Sequence, residues 1–253
     1  MKGLLLFIIG LFSVISSYAK CGNNGLYVFP KGKNIKQNSI FILDGYADSQ
    51  GVITKLNKEY PIYLQSGDKK VKLEVVETHK GQFELTQAIL KPEIELEAGL
   101  EYTLYIGGDE YIQKVLTRYN SSPITYTVLA EIDLTSPEVV GQPKVLRKEY
   151  IIAGCGPESF VAFSNPAKDD SELLVKTTVK SLNTGKKTTY YLQPTTDKIE
   201  VGFGMCSGAF RFNDGDNYEV EFVFMDSAGN IADTKVDKIR FTKPKVKHFG
   251  PLY

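Results

Sequence analysis

Apolar and polar residues change places at every second position in run after run of this chain, and that period restricts the fold more than any other feature. Val71, Leu73 and Val75 oppose Lys72 and Glu74, Tyr102, Leu104 and Ile106 oppose Glu101 and Thr103, and Tyr218, Val220, Phe222 and Phe224 oppose Glu219 and Glu221. Side chains of a strand point to alternate faces, so this spacing puts one face in a core and the other in water. Ile40 to Leu43 and Phe160 to Phe163 are short and apolar throughout, as central strands are. Turn-forming clusters separate the runs: Asn23-Asn24-Gly25, Ser66-Gly67-Asp68, Gly107-Gly108-Asp109, Asn183-Thr184-Gly185 and Asn213-Asp214-Gly215. Helix formers gather at Leu85 to Leu90, and residues 94–100 suit one helical turn, yet no helical period lasts three turns. The expected class is all-β, built of antiparallel sheets and not of βαβ units. The 15 Tyr and 14 Phe agree, since aromatic residues suit a pleated, half-buried surface.

The N-terminus points to export. Lys2 precedes an apolar run from Leu4 to Ile15, and Ser17-Tyr18-Ala19 offers a cleavage site before Lys20, so residues 1–19 read as a secretory signal peptide. An uncleaved anchor is the rival reading, but the run is shorter than the ~20 apolar residues a spanning helix needs. The mature chain is expected to have no transmembrane span and to be periplasmic, displayed on the cell surface or secreted. Lys plus Arg equals Asp plus Glu at 30 each, which leaves no global field to attract nucleic acid or an anionic membrane.

A weak internal repeat divides the rest. Leu96 to Leu104 and Phe212 to Val220 each place a Gly three residues after an apolar residue and a Tyr three after the Gly, ahead of an alternating strand. Tyr102 and Tyr218 lie 116 residues apart (218 minus 102), about one sandwich domain plus a connection. The motif resembles the tyrosine corner of immunoglobulin and fibronectin type III sandwiches, in which a buried phenol bonds to the preceding loop. Two further stretches look like parts of bacterial immunoglobulin-like domains: Val28 to Ile35, with Pro30, leading to the strand at Ile40 as the opening, and Glu221 to Asn230 as a final hairpin. Leu104 and Val220 stand where antibody domains carry Cys, so the resemblance is to the broader bacterial group. It implies two tandem immunoglobulin-like antiparallel β-sandwiches after the signal peptide, at 20–132 and 138–245, joined by a linker at 133–137 and followed by a tail at 246–253.

Chemistry-bearing residues are few. Cys155 and Cys206 fall in the second expected domain, 51 residues apart, and export favours a disulfide between them. Cys21 is left over as a lipidation site, a free thiol or an intermolecular partner. Its pairing with Cys155 or Cys206 would cross domains. Gly204-Met205-Cys206-Ser207-Gly208 has the small-residue spacing of a nucleophile elbow, but no helical pattern follows it. His79, in an expected turn at Glu77 to Gly81, and His248, in the basic tail, read as solvated and not as metal ligands. Asn213 to Asn217 lacks the downstream Glu of a calcium loop, and Asp169-Asp170 and Asp109-Glu110 are weaker candidates still. Tyr190, Tyr191, Tyr102, Tyr105, Tyr111 and Tyr126 are candidates for a stacking face, against the simpler reading of sheet packing.

No catalytic residues, metal ligands or cofactor are therefore expected, and binding residues stay unassigned. The function expected is that of a noncatalytic adhesin-like, envelope-associated or accessory protein with a protein or glycan partner, acting through loops around Gly67, Gly108 and Gly185. The alternative is an exported hydrolase or carbohydrate-binding protein whose site forms only in three dimensions.

Overall fold

A computed structural model describes residues 25–118, 120, 123–153 and 156–246. The signal-peptide reading, Cys21, Cys155 and His248 lie outside the described residues. The chain is predominantly β, and its sheets are antiparallel apart from one short parallel pair.

The N-terminal half contributes β1 (Gly25–Phe29), β2 (Asn34–Ile35), β3 (Phe41–Tyr46), β4 (Ile62–Ser66), β5 (Lys69–Lys80), β6 (Leu85–Pro92), β7 (Glu101–Ile106) and β8 (Thr125–Val128). Their order is β1-β3-β6-β5-β4-β7-β8-β2. Strand β5 makes this one sheet into two layers. Its start, Lys69 to Lys72, pairs with β4, its remainder from Leu73 pairs with β6, and the register shifts between Val75 and Glu77. Inward residues of both layers meet in one largely aliphatic core, with Leu26, Phe41, Leu43 and Leu90 against Leu64, Leu104, Tyr126 and Val128. Two short helices, α1 (Gln50–Thr54) and α2 (Glu110–Arg118), cap this core with Ile53, Ile112 and Leu116.

The C-terminal half contributes β9 (Glu138–Val139), β10 (Val145–Ala153), β11 (Gly156–Ser164), β12 (Ala167–Lys168), β13 (Leu173–Ser181), β14 (Lys187–Leu192), β15 (Lys198–Phe203), β16 (Asn217–Asp226) and β17 (Ile239–Thr242). A β10-β11-β15 sheet faces a β14-β13-β16-β17 sheet, and β9 pairs with β12. The core between them is aromatic. Phe163 meets Phe222 and Phe241 edge on, while Phe210 and Phe212 do the same around Tyr218. Such geometry sets the positive ring edge against a negative ring face.

Tyr102 and Tyr218 begin β7 and β16, and both are fully buried. The Tyr218 hydroxyl donates to the Gly215 carbonyl at 2.9 Å, and the Tyr102 hydroxyl accepts the Glu97 N–H at 3.4 Å. Each phenol thus ties its strand to the loop before it, which satisfies a polar group that burial would otherwise leave bare.

The two halves share a third apolar cluster of Phe29, Ile40, Ile42 and Ile89 with Leu174, Tyr191 and Met225. This junction explains why Ile40 to Leu43 is apolar at every position. Phe41 and Leu43 fill the first core, and Ile42 points the other way into the junction. The same holds for β6, where the run of helix formers is a strand with residues Leu85 to Leu90 all buried. Asp133 is bound at this junction as well: its N–H donates to Asn38 Oδ1, and its carbonyl accepts from the side-chain amides of Asn38 and Asn230.

Candidate functional site

The face that sheet β1-β3-β6-β5 turns toward the C-terminal half is set by register. One row across it is Phe29, Ile42, Ile89 and Glu77; the next is Tyr27, Asp44, Gln87 and His79; Tyr46 and Leu85 follow. The first row docks on Leu174, Tyr191 and Met225. The second is polar and is closed by Gln87, whose side-chain amide donates to Asp44 at 2.9 Å and to the Tyr191 carbonyl at 3.0 Å while its oxygen accepts the Tyr191 N–H. A buried amide with its bonds made fixes the relative placement of the two strands it joins.

Beyond this row the halves diverge into a cavity of about 1710 Å³, lined by Tyr27, Asp44 and Tyr46 on one side and by the Gly204 to Ala209 loop on the other. Next to this loop Phe83 forms an antiparallel bridge with Gly208, and the Arg211 guanidinium sits 4.5 Å over the Phe83 ring. A glycine is required at 208 by the close approach of β15: a Cβ there would lie 2.4 Å from Phe203. Cys206, in the same loop, is disulfide-bonded, and the other two cysteines lie outside the described residues. The glycines flanking Cys206 therefore shape a loop wall, with no helix following them.

Asp44 is the cavity's most perturbed carboxyl. Burial pushes it up to about 7, against a smaller lowering by the Gln87 amide and the Lys31 charge. Burial also raises the neighbouring Tyr46 phenol, whose ring meets Tyr27 edge on at 5.4 Å.

Two charged clusters lie elsewhere on the junction. Glu77 accepts from Lys176 at 2.8 Å and lies 2.7 Å from His79 Nε2, while the His79 ring packs 5.5 Å from Tyr191. Burial alone would raise the Glu77 carboxyl, but Lys176 and His79 outweigh it and hold it below its usual range. His79 is thus not a solvated turn residue: β5 extends through Lys80, and its side chain is 17% exposed. The second cluster is Asp133, Asp169 and Asp226, with one oxygen from each within 4.8 Å of the others. Burial raises both Asp169 and Asp226. Each carboxylate has protein donors: Asp133 accepts from Ser171 and Thr135, Asp169 from Ser171, and Asp226 from Ala228 and Asn230. Asp170, its sequence neighbour, is not in this group, and neither are the acidic residues of the Asn213 to Asn217 loop.

The tyrosines singled out from the sequence do not form one face. Tyr102, Tyr126 and Tyr190 are core residues, Tyr191 is in the junction, and Tyr111 is exposed on α2. Tyr105 instead stacks with Tyr63, its direct cross-strand neighbour, at 5.7 Å and 23° on the outer face of β4 and β7. Period two marks both residues as outward, but only the register makes them partners.

No family model matches the chain, and no curated protein does either. Among solved structures, type I pullulanase from Bacillus subtilis str. 168 complexed with maltose aligns at 9% identity and a TM-score of 0.25, covering 86% of this chain and 24% of that one. Pullulanase from Anoxybacillus sp. LM18-11 complexed with maltotriose aligns at 9% identity and 0.24, covering 83% and 25%. The chain spans about a quarter of the length of these structures, and at such scores the likeness assigns neither fold nor activity. No helix among the described residues is long and apolar enough to cross a membrane.

Proposed function

We propose that this chain is an exported, noncatalytic binding protein made of two immunoglobulin-like sandwiches, 20–132 and 138–245, whose recognition surface is the groove at their junction. The strand orders support the sandwich reading. Layers β1-β3-β6-β5 and β4-β7-β8 correspond to the four-strand and three-strand sheets of an immunoglobulin domain, and the C-terminal half has the related three-over-four arrangement. The tyrosines opening β7 and β16 add to it. The observation that carries the binding role is the cavity itself: the two cores are joined through a third apolar cluster and through Leu85, which packs in the C-terminal core, and the cavity walls come from both halves. Asp133, the first residue of the 133–137 linker, is in this reading part of the clamp.

The disulfide of Cys206 is to Cys155 in this proposal. Gly156, directly after Cys155, is placed so that a Cβ on it would lie 3.5 Å from the carbonyl of Met205, directly before Cys206. Export and this pairing are tested together by fractionating cells and measuring the intact mass of the mature protein under non-reducing conditions. Cleavage after Ala19, a Cys155–Cys206 peptide after proteolysis, and either a free or a lipidated Cys21 are the expected results. A cytoplasmic protein with three free thiols contradicts the proposal. A hydrolase reading draws on Asp44, because a carboxyl titrating near neutrality suits a general acid. Release of reducing ends from a polysaccharide, lost in Asp44→Asn, would decide for it.

A further inference from the structure

The groove does not stop at the junction. It continues over the outer face of β4, β7 and β8, whose inner residues Leu64, Leu104, Tyr126 and Val128 belong to the first core. Register arranges that outer face in rows. Tyr63 lies opposite Tyr105; Gln65 lies opposite Thr103, which lies opposite Thr125; and Glu101 lies opposite Thr127. The two Thr hydroxyls of the middle row are 3.1 Å apart. At the end of the face, the Tyr63 and Tyr105 rings are nearly parallel, and the Lys70 ammonium lies 4.9 Å from the Tyr63 ring centre.

We propose that this continuous surface binds a neutral oligosaccharide, with Tyr105, backed by Tyr63, as the stacking ring and Gln65, Thr103, Thr125 and Thr127 as hydroxyl-bonding side chains. The inference rests on the groove-binding role proposed above and names its ligand class. A pyranose ring has a face of C–H groups that packs on an aromatic ring and a rim of hydroxyls that both donate and accept. The outer face supplies both complements, because Thr hydroxyls and a Gln amide also donate and accept. Size favours a chain over a single sugar: about 1710 Å³ exceeds the ~300–1,000 Å³ of ordinary small-molecule pockets. Charge favours a neutral ligand, since Lys31 and Lys33 along the groove are offset by Glu101 and Glu200. An extended peptide is the poorer fit. Peptides recognised by sheets add to a strand edge through backbone bonds, whereas this surface presents the side chains of a sheet face.

The test is affinity electrophoresis of the mature, disulfide-intact protein through gels containing starch, glucomannan, xylan, mixed-linkage β-glucan or, as an acidic control, heparin. At least one neutral polysaccharide is expected to retard the protein. Tyr105→Ala should weaken that retardation on the order of tenfold, as loss of the ring contact implies. Thr125→Lys, which places a long cation in the middle row without removing the stacking ring, should also weaken it, so a folding defect in the tyrosine variant does not leave the matter open. Tyr111→Ala, an exposed residue outside the groove, should leave it unchanged. Retardation by heparin alone, by no polysaccharide, or equally in wild type and both groove variants overturns the ligand assignment. The export and disulfide measurements stand or fall separately from it.

Discussion

The junction between the halves has two charged ends that obey opposite electrostatics. At one end Glu77 meets Lys176 and His79, and opposite charges hold its carboxyl below its usual range despite burial. At the other end Asp133, Asp169 and Asp226 crowd together, and burial raises Asp169 and Asp226. Asp44, in the polar row, behaves like the acidic end, because its Gln87 partner supplies a hydrogen bond and no charge. The lesson is that similar burial stabilises or weakens an interface according to what faces the carboxylate. The apolar cluster does the adhesive work, and the ends tune it with pH.

Removing that cluster should have the largest effect. Ile89→Ala takes a 3% exposed side chain out of the junction and should lower unfolding stability by about 2–4 kcal/mol in urea titration. If the junction is what joins the halves, the single transition should also broaden or split. A loss below about 1 kcal/mol would assign the coupling to the polar contacts instead.

Asp44→Asn should come next, and with the opposite sign. A carboxyl raised from 3.8 to about 7 binds its proton more tightly in the folded state. Its contribution to stability therefore falls as pH rises from about 4 to about 7 and is level above that. The variant keeps an acceptor for Gln87 and should gain about 1–4 kcal/mol over wild type at pH 8, the upper figure being the full shift, and nothing at pH 4. Thermal melts at the two pH values measure the difference, and equal shifts at both would show that the carboxylate is well solvated.

Lys176→Met breaks the other end. Glu77 is held low by its partners, so the pair contributes fully above the ordinary Glu range, and the contribution is lost as pH falls through the lowered folded value. With the Glu77 side chain 39% exposed, solvent screening limits the loss to about 0.5–1 kcal/mol at pH 7, fading below pH ~4. A loss that persists unchanged at pH 3 would mean that Lys176 acts through its packing on Tyr191 and not through its charge.

Asp169→Asn should have the smallest effect, a gain of about 0.5 kcal/mol at pH 8, because the raised carboxyl penalises folding only where it is ionised. Its oxygen still accepts the Ser171 N–H. Destabilisation at pH 8 by this variant would show that the third carboxylate is needed as an ion, and would reverse the contrast between the two ends.

Much of this architecture was legible as pattern. Period-two runs such as Val71 to Val75 and Tyr218 to Phe224 are strands, and the Gly-x-x-Tyr repeat picked out the two phenols that open β7 and β16. The apolar stretch at Ile40 to Leu43 signalled a strand with both faces covered. It did not say that the second cover is the other half of the molecule. His79 illustrates the limit: its neighbours read as a turn, but β5 runs on through Lys80 and carries the imidazole to Tyr191. Tyr63 and Tyr105 illustrate another, for they are 42 positions apart (105 minus 63) and become a stacked pair only by register.

The sequence by itself determined the β class and which side chains each strand turns inward, because these are local matters of period and turn chemistry. The tertiary structure alone decided that Glu77 meets Lys176, that three aspartates converge, and that Asp44 is shut against Gln87 beside a groove. Those meetings join residues of distant strands, and their energies depend on distance and desolvation, which no spacing along the chain encodes.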